Sequence, residues 1–340
     1  MTNSVSSLAL QLHVIGSRDR RYELDTPTLL VVGQSPHRTD QHMTTRRDFT
    51  LPSLHDGTSL SCHIFHPQRP VHKFEGVAVL AHPYAPLGGN SSDPVIRLLT
   101  ETFLQEGYIV GTFDFRGAGR SAGRTSWTAK PEVDDYMTFA GFLIQYAKAF
   151  MGRDSERDTN FDASVPVNIV FGGYSYGSLV ARQILDAQVL CDRFESSSSG
   201  SPESEITMSA RKVAMEAAGI KSDALSIAWT PPSLNLRTSY LLISPLLWPV
   251  STALTMQFTT PFSKDNGNLL DHKTLAVFGG NDVFTSSKRL ARWAARMAEA
   301  SSGKFTFEHV REAGHFWHEL GVGRRLQDAV QAWLRQTSTT

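Results

Sequence analysis

Cysteine is nearly absent from this 340-residue chain, which has only Cys62 and Cys191, far apart in sequence. A disulfide framework needs more of them, and neither has the spacing of metal ligands. Reduced thiols in a cytoplasmic protein are therefore expected. An excess of one charge is missing too: Lys plus Arg and Asp plus Glu are each 33, for a formal net charge of zero. Nucleic acids and anionic membrane surfaces are bound through a basic field, so neither is expected as a partner. No stretch approaches the roughly 20 apolar residues of a membrane span. The opening MTNSVSSLALQLHVIG lacks the basic segment and clean apolar block of a secretory signal. Its serines, with Arg18, Arg20 and Arg21, leave organelle import as the alternative.

What the chain does have is core-forming material, with 41% hydrophobic residues. That suffices for one large domain or two ordinary ones. Residues 1–44 are polar and irregular, and read as an N-terminal extension ahead of a domain over 45–338. RDFTLPSL and TSLSCHIFHP, joined across Asp56-Gly57, read as an antiparallel hairpin. Short apolar runs follow at 76–82, 108–115, 167–173, 239–244, 274–280 and 305–310. They suit strands buried on both faces of a parallel sheet. Amphipathic segments at about 93–106, 133–150, 176–190, 285–299 and 322–335 alternate with them. This alternation predicts an α/β fold: a doubly wound, mostly parallel sheet with helices on both faces. SSSSGSPESE (196–205) reads as a polar mobile loop within an insertion over about 191–236. A helix is expected there at 206–218, and the insertion has the size of a small lid.

One pentapeptide concentrates the chemistry. Gly173-Tyr174-Ser175-Tyr176-Gly177 follows the run VNIVFGG and opens the segment SLVARQILDAQ. A G-x-S-x-G pattern alone is an ordinary Gly/Ser turn as often as a reactive site. At a strand-to-helix turn it becomes informative, because the turn holds the serine hydroxyl clear of the sheet. A serine hydroxyl needs an adjacent base to become nucleophilic. His315, in the loop after the last expected strand, is the candidate base, and His318 three residues on is its competitor. Asp282, after TLAVFGG, is the candidate acid that would hold the far imidazole nitrogen. Its alternative role is a turn or N-cap residue. Asp265 and Asp271 precede that strand and fall at the opposite sheet edge.

Acyl transfer also needs donors aimed at an oxyanion. The backbone N–H of Tyr176 is one candidate. The other comes from the loop His82-Pro83-Tyr84-Ala85-Pro86-Leu87-Gly88-Gly89-Asn90, where Pro83 has no N–H and Tyr84 is therefore preferred. His82 is expected to brace this loop by hydrogen bonds. Asp114-Phe115-Arg116-Gly117-Ala118-Gly119-Arg120-Ser121 lacks the Gly-Lys-Ser/Thr ending of a phosphate loop and reads as a structural turn with Arg116 paired locally.

Taken together, HPYAPLGGN, DFRGAGRS, GGYSYGS, GGND and AGHFWH resemble the α/β-hydrolase superfamily over about residues 46–336. The likeness is to small, nearly cap-less serine hydrolases with a His-Pro…Gly-Gly oxyanion loop. It implies the same Ser175, Asp282 and His315 triad and the same oxyanion loop. The N-terminal extension and the 191–236 insertion depart from the compact pattern. The expected activity is cleavage of a small-molecule carboxylic ester through an acyl-enzyme. Thioester hydrolysis or acyl transfer by the same machinery is the alternative, and a non-catalytic binding protein on the same fold is the alternative of another class. No metal or organic cofactor is required. Tyr84, Leu246, Leu247 and Trp248 are candidates to line the substrate pocket, each with a core role as its competitor. Oligomeric state is not legible.

Overall fold

The computed structural model describes residues 45–67, 74–157, 166–219, 233–247, 250–251 and 267–338. Among the described residues, eight strands form one sheet: β1 (Thr45–Pro52), β2 (Ser59–His66), β3 (Gly76–Ala81), β4 (Tyr108–Phe113), β5 (Val167–Tyr174), β6 (Leu236–Ile243), β7 (Lys273–Asn281) and β8 (Phe305–Gly314). Their spatial order is β1-β2-β4-β3-β5-β6-β7-β8. β1 and β2 are antiparallel, β2 joins β4 antiparallel, and every pairing from β4 to β8 is parallel. The 1–44 extension and residues 252–266 lie outside the described residues.

The sheet separates two apolar layers, and alternation along the strands feeds both. In β3, Val77, Val79 and Ala81 join one core while Ala78 and Leu80 join the other. The second core is completed by α1 (Pro94–Gln105), through Ile96, Leu99 and Phe103, and by α8 (Val322–Ser338), through Leu326, Val330 and Trp333. The first takes α2 (Lys130–Arg157) through Tyr136, Phe139 and Leu143, and α7 (Ser287–Ala300) through Leu290 and Trp293. Between these lie α3 (Tyr176–Ala181), α4 (Ala187–Glu195), α5 (Pro202–Ala217) and the short α6 (Gly267–Asp271). This is the doubly wound arrangement expected from the alternating runs.

Two local expectations are corrected. The segment 176–190 is not one helix, because Asp186 starts a new one: its Oδ1 accepts from the Gln188 and Val189 amides. Its other oxygen accepts from the Thr238 hydroxyl at 2.6 Å, tying the break to β6. The polar stretch 196–205 is not all loop. Ser201 caps α5, Pro202 occupies its first turn, and Glu203 and Glu205 follow where the helix dipole favours acids. α5 then buries Ile206, Ala210, Val213 and Ala214, and α4 buries Leu190 and Phe194, in the same core as α2. The described part of the insertion therefore belongs to the helical layer, against the α2 side of the sheet.

Candidate active site

Ser175 stands between the last residue of β5 and the first of α3. Its backbone has φ 55° and ψ −115°, a region that L-residues other than glycine seldom occupy. Such a conformation costs of order 1–3 kcal/mol and persists where the surroundings over-determine it. The neighbouring glycines make it sterically feasible. A Cβ at Gly173 would lie 2.2 Å from the Gly177 carbonyl, and one at Gly177 would lie 2.2 Å from the Ala81 carbonyl oxygen. Any side chain at either position would push α3 off the sheet.

His315 and Asp282 arrive from β8 and β7. Those strands close up at Gly279 and Gly280, where a Cβ would strike the Ala313 and Arg311 carbonyl oxygens at 2.2 and 2.3 Å. The His315 Nδ1 lies 2.7 Å from Asp282 Oδ2, and its Nε2 lies 2.8 Å from Ser175 Oγ. A carboxylate oxygen only accepts, so Nδ1 donates to Asp282 and Nε2 is left to accept from the serine hydroxyl. The other Asp282 oxygen accepts from the Phe284 and Thr285 amides at 2.8 and 2.9 Å. The turn role weighed for Asp282 and its contact with His315 are thus filled by different oxygens of one carboxylate. His318 is exposed and stacks on Phe316, with no hydrogen bond to Ser175 or Asp282. Asp271 ends α6, ahead of β7, and Asp265 lies outside the described residues.

The loop after β3 is built around a buried histidine. The Phe115 amide donates to His82 Nε2 at 2.9 Å, so the ring proton is on Nδ1 and donates to the Pro83 carbonyl at 2.6 Å. Burial holds this imidazole at a pKa of about 4, against the raising influence of the Pro83 bond and of Asp114. It is a neutral brace. Tyr84 caps the short 3₁₀ turn Ala85–Leu87, and its ring meets that of Tyr176 at 5.1 Å. The two expected oxyanion donors thus belong to residues whose side chains touch. Tyr176 is the first residue of α3, where a backbone N–H has no intrahelical acceptor.

The turn after β4 is held by charge. Arg116 is bidentate on Asp135, at 2.7 and 2.8 Å, and reaches Asp56 at 3.0 Å. The Asp114 carboxylate accepts from the Ser91 and Arg120 amides, joining this turn to the end of the loop after β3. The local pairing expected for Arg116 is what the structure has.

The model of the alpha/beta hydrolase family matches residues 78–321. The chain belongs to the alpha/beta hydrolase family. Among solved structures, a serine hydrolase described as lacking a lid, XC6422 from Xanthomonas campestris, is similar in fold. The TM-score is 0.51 at 16% identity, over 88% of this chain and 98% of that one. Est1E from Butyrivibrio proteoclasticus gives 0.51 at 11% identity, over 86% and 99%. No match is found among curated proteins.

In this alpha/beta hydrolase the four pocket candidates separate. Tyr84 is half-buried beside Tyr176, and Leu247 is partly buried against the core. Leu246 is 2% exposed and sits in the core itself, the competing role weighed for it. Trp248 lies outside the described residues. Two aromatic residues not singled out from sequence flank the imidazole instead. The Phe284 ring is edge-on to His315 at 4.5 Å, and Phe316, half exposed, is at 5.4 Å. Tyr174, Ser244 and Trp317 were missed as well: the first two reach the His315 carbonyl, and Trp317 bonds to Ser244. Of these, Tyr174 stood inside GGYSYGS and Trp317 inside AGHFWH, while Ser244 stood in neither. Among the described residues, no cluster of three His, Cys, Asp or Glu side chains could hold a metal ion. No described helix is long and apolar enough to cross a membrane.

Proposed function

We propose that this alpha/beta hydrolase cleaves a carboxylic ester through an acyl-enzyme on Ser175. The observation that carries the reading is the unbroken line Ser175 Oγ–His315 Nε2–His315 Nδ1–Asp282 Oδ2, with links of 2.8 and 2.7 Å in a buried setting. Ser175 Oγ attacks the ester carbonyl carbon while its proton passes to His315 Nε2. Asp282 stabilises the imidazolium that results. The carbonyl oxygen becomes an oxyanion and accepts hydrogen bonds from the Tyr176 and Tyr84 amides, a contribution often worth about 3–4 kcal/mol per donor. Collapse breaks the bond to the alcohol oxygen, which leaves with the proton held by His315. Water then gives a proton to His315, attacks the acyl carbon and releases the acid, and Ser175 recovers its proton.

A fluorophosphonate probe tests the assignment of the nucleophile. Wild-type protein should be labelled and Ser175→Ala should not be; labelling that survives the substitution overturns it. p-Nitrophenyl esters of graded chain length, compared with acyl-CoA substrates, then separate ester from thioester hydrolysis. A preference for acyl-CoA at equal chain length would replace the ester reading with the thioesterase one.

A further inference from the structure

Asp282 restrains the imidazole of His315 but not the backbone that carries it, and that backbone has a separate restraint. Tyr174, the residue before Ser175, is buried at the end of β5. Its hydroxyl donates to the His315 carbonyl at 2.9 Å, and its ring lies 5.7 Å from the imidazole. Burial raises the phenol pKa, so the hydroxyl keeps its proton and stays a donor across the working pH range. Ser244, directly after β6, reaches the same carbonyl at 3.5 Å, the weaker of the two contacts. The Trp317 indole N–H donates to that serine oxygen at 3.0 Å. One carbonyl is therefore approached from the ends of two adjacent strands.

The ends of those strands are themselves tied to the nucleophile. Tyr174 is in register with Ile243, the Ser175 amide donates to the Ile243 carbonyl at 2.8 Å, and the Ser244 amide donates to Val277 at 2.8 Å. Ser244 and Trp317 both have positive φ, 45° and 57°, as Ser175 does at 55°. A bulky residue such as tryptophan is a conformational outlier there, held only by its surroundings. Three of the five described non-glycine residues with positive φ thus sit on this one linkage. Strain concentrated where polar groups converge is a sign of enforced position.

We propose that Tyr174, Ser244 and Trp317 are positioning residues that fix the His315 main chain relative to Ser175, so that Nε2 stays within reach of the serine proton. The proposal rests on the reading of Ser175 and His315 as nucleophile and base. Tyr174 is the central member, because the same strand end carries both its hydroxyl and the nucleophile. A displacement of about 1 Å in such a site can cost on the order of 100-fold in rate without touching substrate binding.

The test is Tyr174→Phe, which removes one oxygen and keeps the ring. With p-nitrophenyl acetate, kcat and the fluorophosphonate labelling rate should both fall about 10- to 100-fold, while KM moves by less than about twofold. Trp317→Phe, measured in the same way, should show the same kcat-selective loss on a smaller scale and serves if the first variant does not fold. Tyr174→Phe/Ser244→Ala should depart from the product of the single effects by about threefold or more, because both act on one acceptor. A wild-type kcat in Tyr174→Phe and Trp317→Phe, a loss confined to KM, or strictly multiplicative effects would overturn the proposal. If Ser175→Ala retains labelling, the underlying reading fails. If it abolishes labelling and Tyr174→Phe is labelled at the wild-type rate, only the positioning role fails.

Discussion

The loops after β3 and after β8 each place a buried histidine at the same edge of the sheet, with both ring nitrogens bonded. His82 bonds to a backbone carbonyl and a backbone amide, groups that neither take nor give up protons. His315 bonds to a carboxylate and a hydroxyl, one able to stabilise a positive imidazole and the other able to surrender a proton. Burial is common to the two. What separates His82 from His315 is the chemistry of their partners.

The largest expected effect is at the His315 end. If Ser175 and His315 act as one unit, Ser175→Ala and His315→Ala should each lower kcat on the order of 10⁶-fold, and the double variant should be no worse. Steady-state kinetics on active-site-titrated protein measures this, and additive losses would separate the two residues. Asp282→Asn should lower kcat by about 10⁴-fold, since an amide at Oδ2 would favour the wrong imidazole tautomer. A turn residue and nothing more would give a loss of thermal stability with kcat largely kept.

At the His82 end the sign of the outcome reverses, with stability falling more than catalysis. His82→Ala strands the Phe115 amide and the Pro83 carbonyl, at about 1–3 kcal/mol for each buried group left unpaired. Thermal unfolding should show the loss, and kcat should fall far less than for Asp282→Asn. A collapse of kcat matching that of His315→Ala would erase the distinction between the loops.

His82 also has a pH signature. Its native pKa is about 4, and an unfolded histidine titrates near 6.5. Between those values the unfolded chain holds a proton that the native protein does not, so stability falls as pH drops from about 6.5 to about 4. The full loss is about 3 kcal/mol for a shift of this size. His63, also lowered by burial, acts in the same direction. Unfolding midpoints at pH 7.5 and 4.5 should therefore differ less in His82→Ala than in the wild type; an unchanged difference would assign the acid sensitivity elsewhere.

The smallest effect concerns the aromatic neighbours of His315. Phe316→Ala, at a half-exposed position, should leave fluorophosphonate labelling in place. It should raise KM for esters of bulky apolar alcohols a few-fold relative to ethyl esters, as loss of roughly 1 kcal/mol of apolar contact implies. Equal KM changes for both alcohols would remove Phe316 from the leaving-group side.

Much of this was legible in the chain because the signals are local. A parallel strand buried on both faces is written as a continuous apolar run, and the elbow at Ser175 as two glycines flanking a serine. The split of 176–190 was less visible, since Asp186 looks like any surface acid until its carboxylate meets Thr238 from β6. The start of α5 was written in Ser201, Pro202 and Glu203, though a serine-rich stretch just ahead of it reads as loop. The linkage through Tyr174, Ser244 and Trp317 could not be read, because its members are up to 143 positions apart and none is unusual in composition.

The order of elements, the α/β class and the short set of candidate residues for acyl chemistry were all readable from the chain. They could be read there because strand burial, turn sterics and side-chain acidity are properties of a few neighbouring residues. Which histidine is a brace and which faces a hydroxyl, which Asp282 oxygen meets His315, and what holds that loop in place were decided only by the tertiary structure. Those are matters of distance between segments separated by 33 to 141 positions. Only the register of a folded sheet sets such distances.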